Sequence, residues 1–415
     1  MDAIRFGILT SLRGRNSQPI GNWILALLIE SSLSRRHWLA VAATSLVIRP
    51  EYLMADKSVV TTEQFTFEDR QQKTREVTAR VLVEAQDGGL LLQGMDGRIW
   101  LVPPDKLQQK AASATPFAAL SAAELGKQIA HEFGPGFISY STERYTLCTN
   151  ASEPYAHWCL GLFERLATAF RAYWTTRGVK TVDPTFPLVA VIFQKQTQFA
   201  GFATVDAGAD VAGVPGYFSI PTNRIVLHDL TQTTNGQPAR TAAEIEQRLE
   251  STLYNVATMV HEATHQIAFN CGLHTRMADN PLWLTEGMAT YFETPDIRSK
   301  KGWTTAGQIN RARLRRFKQF FSARRPADSL ETLIRNDVRL TNSDTAEDAY
   351  AESWALTYFL VRKQLASYVK YLTHIAAKEP LDFPTPDQRV AEFQNVFGDL
   401  LRLDSEFTRY LKSLR

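Results

Sequence analysis

The sequence predicts an α+β fold in which a small β unit precedes a larger unit made of a mixed sheet and a helical half. Three observations predict it. Residues 75–102 carry short apolar runs broken by turn signals at Asp87-Gly88-Gly89 and Asp96-Gly97, residues 118–270 alternate helical and β-rich patterns, and only helical periodicity remains beyond 306. At 415 residues, 44% apolar and 21% charged, the chain is globular and long enough for one large or two modest domains.

The amino terminus reads as an address. Ser34-Arg35-Arg36-His37-Trp38-Leu39, followed by the apolar run Ala40–Ile48, has the twin-arginine lead and modest hydrophobic stretch of an export signal, with cleavage expected near Ala55. That stretch is shorter than the roughly 20 apolar residues a transmembrane helix needs, so no stable membrane insertion is expected after cleavage. Residues 1–55 are thus expected to be signal and extended leader, and the mature chain periplasmic or extracellular; two short amphipathic helices on a cytosolic protein are the other reading.

Residues 56–110 follow as a small accessory unit, read as a three-stranded β-meander ending near Pro103-Pro104, with an alanine-rich linker from Ala111 to Ala119. Substrate docking and simple cover for the larger unit both fit it. The larger unit, 118–415, begins with helices at 118–133 and 153–174 and a β-rich run from Leu188 to Gln194. Residues 213–229 then read as two short strands joined at Pro221-Thr222-Asn223. His228 in this hairpin is read as a surface or satisfied histidine.

From Ala242 to Asn270 there is no Gly or Pro, and Leu249, Leu253, Val256, Val260, Ile267 and Phe269 recur at three- and four-residue steps. This is a long, mostly buried helix, stopped by Gly272. It carries His261-Glu262-Ala263-Thr264-His265. Histidines four apart lie one turn apart on one helix face, so both can bind the same ion. Glu262 points about 100° round the helix, towards the open coordination position, where a carboxylate can take a proton from water. A chance match to this pattern arises about once per hundred chains of this length. A second apolar helix opens at Pro281 and carries Glu286, an acid whose burial calls for a partner or an ion.

The run Trp283-Leu284-Thr285-Glu286-Gly287-Met288-Ala289-Thr290-Tyr291-Phe292-Glu293, about twenty residues after His261-Glu262-Ala263-Thr264-His265, resembles the gluzincin metallopeptidases, especially the peptidase-MA-like and aminopeptidase-N-like groups. The resemblance covers residues 120 to 380 and is specific in its two motifs; the nearest likeness is an uncharacterised bacterial gluzincin-like family. It implies a zincin-like catalytic domain with His261, His265 and Glu286 as ligands of one Zn2+ per chain and Glu262 as general base. A weaker likeness, Tyr350-Ala351-Glu352-Ser353-Trp354, implies that Tyr350 donates a hydrogen bond to the oxyanion; packing at a helix start is the other reading. The Gly-x-Met-Glu-Asn strand that captures a free amino terminus in aminopeptidases has no counterpart upstream of His261. The hairpin at 213–229 stands there instead, either as an edge strand for extended peptide or as ordinary sheet.

The expected activity is therefore zinc-dependent hydrolysis of peptide or protein substrates, with an endopeptidase favoured. An inactive zincin fold serving as a binding module is the alternative, and a non-metal protein with a coincidental motif is a third. Helices are expected at about 306–323, 346–377 and 388–413, forming a lobe across a cleft from the sheet. No phosphate-cradling glycine run is found, and a net charge of +3 argues against dedicated nucleic-acid binding. Arg311, Arg313, Arg315, Arg316 and Lys318 form a basic run with Leu314, Phe317 and Phe321 at helical spacing, read as a solvated face over a packed side. Cys148, Cys159 and Cys271 make no framework and read as buried small residues or free thiols.

Overall fold

Alternating burial builds the first sheet. In the computed structural model, which describes residues 61–208, 212–232, 237–296 and 303–415, strands β1 (Thr61–Glu68), β2 (Thr74–Glu84), β3 (Leu90–Gly94), β4 (Ile99–Val102) and β5 (Leu107–Pro116) pair in the order β4-β3-β2-β1-β5. Every pairing is antiparallel. Phe65, Phe67, Ala79, Leu90, Leu92 and Val102 form its core. The stretch read as an alanine-rich linker is instead mostly β5, paired along β1 from Thr61↔Pro116 to Phe67↔Leu107. Ala and Ser carry little strand signal of their own, and pairing with an apolar neighbour decides their state. The signal and leader expected over 1–55 lie outside the described residues. Among those described, no helix is long and apolar enough to cross a membrane.

The second sheet has the order β6-β7-β8-β10-β9, formed by β6 (Ile138–Ser141), β7 (Tyr145–Thr149), β8 (Leu188–Phe193), β9 (Gly216–Ser219) and β10 (Arg224–His228). Its centre is parallel, and both edge strands run antiparallel to their neighbours. Helix α1 (Ala122–Phe133) precedes β6, α2 (Glu153–Thr175) joins β7 to β8, and α3 (Gln196–Asp206) follows β8. All residues of β7 and β8 are buried, as befits strands covered on both faces. The hairpin expected around Pro221 is β9–β10.

The single helix expected over 242–270 is two, α4 (Ala242–Glu250) and α5 (Leu253–Asn270). Ser251 Oγ donates to the Arg248 carbonyl and Thr252 Oγ1 to that of Leu249, and such local bonds compete with helix continuation. Gly272, at φ 87°, follows the end of α5. Gln266 staples α5 to the sheet by donating to the carbonyls of Val189 and Asn223 at 2.9 and 2.8 Å.

Helix α6 (Leu282–Phe292) is buried along its whole length. Among the described residues only helices follow: α7 (Arg311–Ala323), α8 (Ser329–Arg335), α9 (Val338–Thr341), α10 (Ala346–Lys363), α11 (Leu365–Ala376), α12 (Pro386–Phe397) and α13 (Leu400–Ser413). The helices expected at 346–377 and 388–413 are each broken, at Gln364 and at Gly398, whose φ is 82°. The architecture is mixed α+β, with an N-terminal β region and a helical C-terminal part.

Gly287 lets α6 lie close against α10. A Cβ there would stand 2.2 Å from Thr357 Oγ1 and 2.7 Å from the Ser353 carbonyl. Backbone cannot yield as a flexible side chain does, so Gly287→Ala is expected to destabilise the fold by about 1–3 kcal/mol, read as a lowered denaturant midpoint.

Candidate metal centre

Two helices bring the candidate ligands together. α5 places His261 and His265 on one face, and α6 crosses it carrying Glu286. The start of α6 is fixed from the helical half: Leu282 N–H donates to Asp337 Oδ1 at 3.0 Å, and Arg389 bridges Asp337 and Asp279. An acid at a helix N-terminus satisfies an otherwise unpaired donor.

His261 Nε2 lies 3.0 Å from Glu286 Oε2 and 3.0 Å from His265 Nε2, and His265 Nε2 lies 3.5 Å from Glu286 Oε1. Three ligand atoms on a tetrahedron of about 2.0–2.1 Å bonds would stand about 3.3 Å apart, so the donor set fits a metal ion of that size. Among the described residues, this is the one group of His, Cys, Asp and Glu side chains so converged. All three are buried, with 3–5% of their surface exposed.

His261 and Glu286 hold one another in their charged forms. Burial alone would lower the pKa of His261, but the carboxylates of Glu286 and Glu293 outweigh it and push it up to about 10. Glu286 is held well below the usual carboxylate range; burial opposes this, and the two histidines prevail.

The outer groups were largely hidden from sequence reasoning. Glu293, just past α6, has Oε2 3.3 Å from His261 Nδ1. It is itself held by Asn310 Nδ2 at 2.7 Å and by Arg313 through Nε at 3.0 Å and Nη2 at 3.3 Å. A carboxylate on the far nitrogen fixes the tautomer and aim of a ligating histidine. The available signal was spacing, since Glu293 stands seven residues after Glu286 and so shares its helix face. Glu293→Ala is expected to weaken metal affinity by about 10- to 100-fold, measured by competition with a chromophoric chelator.

The basic run on α7 therefore does not form one solvated face. Arg313 turns to Glu293 and Arg316 to Asp348, while Arg311 and Arg315 are exposed.

Glu262 is buried beside the triad, and its Oε2 accepts the Phe218 N–H of edge strand β9 at 2.8 Å. Burial raises its pKa above that of an ordinary glutamate; the two histidines work in the opposite direction. Tyr350, in the second turn of α10, is 4% exposed, and its buried hydroxyl lies beside the Glu286 carboxylate without a well-formed hydrogen bond. Burial, followed by the nearby Glu286 carboxylate, raises its pKa well above the ordinary value, so it stays a neutral donor. His228 stands apart from this group, with Nδ1 3.2 Å from the Asp229 carbonyl. Cys148, Cys159 and Cys271 are free and buried.

A family model described as a protein of unknown function, DUF1570, matches residues 255–382, the segment that carries His261, Glu262, His265, Glu286 and Tyr350. No curated protein matches the chain.

Proposed function

We propose that this protein is a zinc-dependent peptidase of gluzincin type, acting as an endopeptidase on extended peptide or protein substrates. The observation that carries this reading is the convergence of His261, His265 and Glu286, with their ligand atoms 3.0–3.5 Å apart beside the buried carboxylate of Glu262. A zinc ion held there supplies a Lewis acid for a substrate carbonyl and brings the pKa of a bound water to about 7.

The chain's own groups then have distinct tasks. The Phe218 N–H occupies Oε2 of Glu262, so the other oxygen takes the proton from water and later gives it to the leaving amine. Tyr350, whose hydroxyl lies beside Glu286, offers it to the carbonyl oxygen as negative charge develops. Glu293 and Arg313 keep His261 aimed. β9 is an edge strand antiparallel to β10 with all four residues buried, so pairing with an extended peptide requires the cover on its outer side to open. Together with the mixed sheet, the metal helix and the helical half, these features support a zincin-like catalytic fold. The lack of a Gly-x-Met-Glu-Asn strand supports internal cleavage over removal of amino-terminal residues.

Incubating the zinc-loaded protein with a mixed peptide library, with mass-spectrometric mapping of products, tests the reading. Cleavage at internal bonds that a chelator abolishes is expected. An uncleaved library with zinc bound would reduce the site to metal binding. Tyr350→Phe should lower kcat by about 10²–10³ with KM little changed, since the hydroxyl acts on the transition state.

A further inference from the structure

The turn between β3 and β4 reaches across to the metal-binding unit and meets the tip of the β9–β10 hairpin. Ile99 N–H donates to the Pro221 carbonyl at 2.7 Å. Arg276, in the loop between α5 and α6, donates Nη1 and Nη2 to the Gly97 carbonyl, both at 2.8 Å, and Nη2 to Pro221 at 3.3 Å. Around this point Glu132 of α1 takes Arg98 from the first sheet and Arg224 from β10, at 3.0 and 2.8 Å. Leu120 N–H adds a bond to the Met95 carbonyl.

Arg276 is unusual among these. Among the described residues it has no carboxylate within ion-pair distance, and its Nε is buried without a partner. Its donors are spent on two turn carbonyls from different sheets. Asp96 acts on it only from beyond ion-pair distance, and holding a guanidinium partly out of water without a contacting carboxylate is costly unless the geometry it enforces matters. The hairpin it grips continues directly into β9, whose Phe218 N–H holds Glu262. Arg276 is anchored in the same loop that links the two metal-binding helices.

We propose that Arg276 is a positioning residue, clamping the N-terminal sheet to the hairpin so that β9 stays seated over Glu262. The role of the N-terminal sheet is then to brace the substrate edge, and this rests on the function proposed above only in what β9 binds. A loosened clamp lets β9 lift, which removes the Phe218 bond from Glu262 and shifts the strand an extended peptide would pair with. The metal ligands sit on α5 and α6 and keep their places.

The test compares Arg276→Gln and Arg276→Lys with the full wild-type chain. Zinc per chain should be unchanged, amide exchange over residues 216–219 faster by about tenfold or more, and kcat/KM on a peptide that wild type cleaves lower by about tenfold. Lysine, a single ammonium that cannot fork between two carbonyls, should fall between. Ile99→Pro removes the other donor to Pro221 at the first residue of an edge strand, where proline is tolerated, and should speed the same amides; it serves if an Arg276 variant does not fold. Unchanged exchange over 216–219, or exchange accelerated equally along the whole chain, would overturn the clamp. Should wild type cleave no peptide while binding zinc, the proposed activity fails, and the exchange rates alone decide the clamp.

Discussion

Glu262→Gln is expected to lower kcat by about 10²–10⁴ while zinc content stays at one per chain, because the substitution removes a general base and leaves every metal ligand in place. The amide keeps nearly the same shape and can still meet the Phe218 N–H through its carbonyl oxygen, so the fold should be undisturbed. Burial raises the pKa of Glu262, while the histidines, and a zinc ion when bound, act in the opposite direction. Kinetics on a cleaved peptide, with zinc measured on the same samples, check this. Loss of zinc alongside activity would show that Glu262 holds metal rather than protons.

Glu286→Ala acts one step earlier. It removes the only anionic ligand of the triad, and it leaves His265 without the carboxylate 3.5 Å away. Retained zinc should fall below about a tenth of an equivalent after dialysis, and the rise in melting temperature that zinc gives the wild type by binding only the folded state should disappear. Atomic absorption and melts with and without zinc read both effects. A wild-type-like zinc-dependent shift in Glu286→Ala would place the metal elsewhere.

What was legible in the sequence followed from short, regular spacings. The helical period alone put His261 and His265 on one face, and an acid in an otherwise apolar helix marked Glu286. The hairpin at Pro221 was readable because two β-rich runs flank a turn. The remainder depends on contacts that spacing cannot convey. Phe218 serves the site through its backbone N–H, which any residue would provide, and Glu293 reaches His261 only because α6 crosses α5 as it does. Arg313 reads in the sequence as one charge in a solvated run, and only the packing of α7 sets it against Glu293. β5 was missed because its alanines and serines take their conformation from β1, and the split of α4 from α5 turns on two hydroxyls that bond their own backbone.

Tyr350 illustrates the intermediate case. Sequence left two roles open, and in the structure its hydroxyl is buried close enough to Glu286 and Glu262 to be perturbed by both. Tyr145, Tyr368 and Tyr371 also bury hydroxyls without a well-formed hydrogen bond, so what sets Tyr350 apart is its place beside Glu286 and Glu262.

X-ray absorption at the zinc edge tests the central claim most directly. For zinc-reconstituted wild type, the account predicts one zinc per chain with two imidazole nitrogens and carboxylate or water oxygens at about 2.0–2.2 Å, and one imidazole fewer in whatever zinc His265→Ala retains. A chain that takes up no zinc on reconstitution, or one whose zinc spectrum is unchanged by His265→Ala, would contradict it.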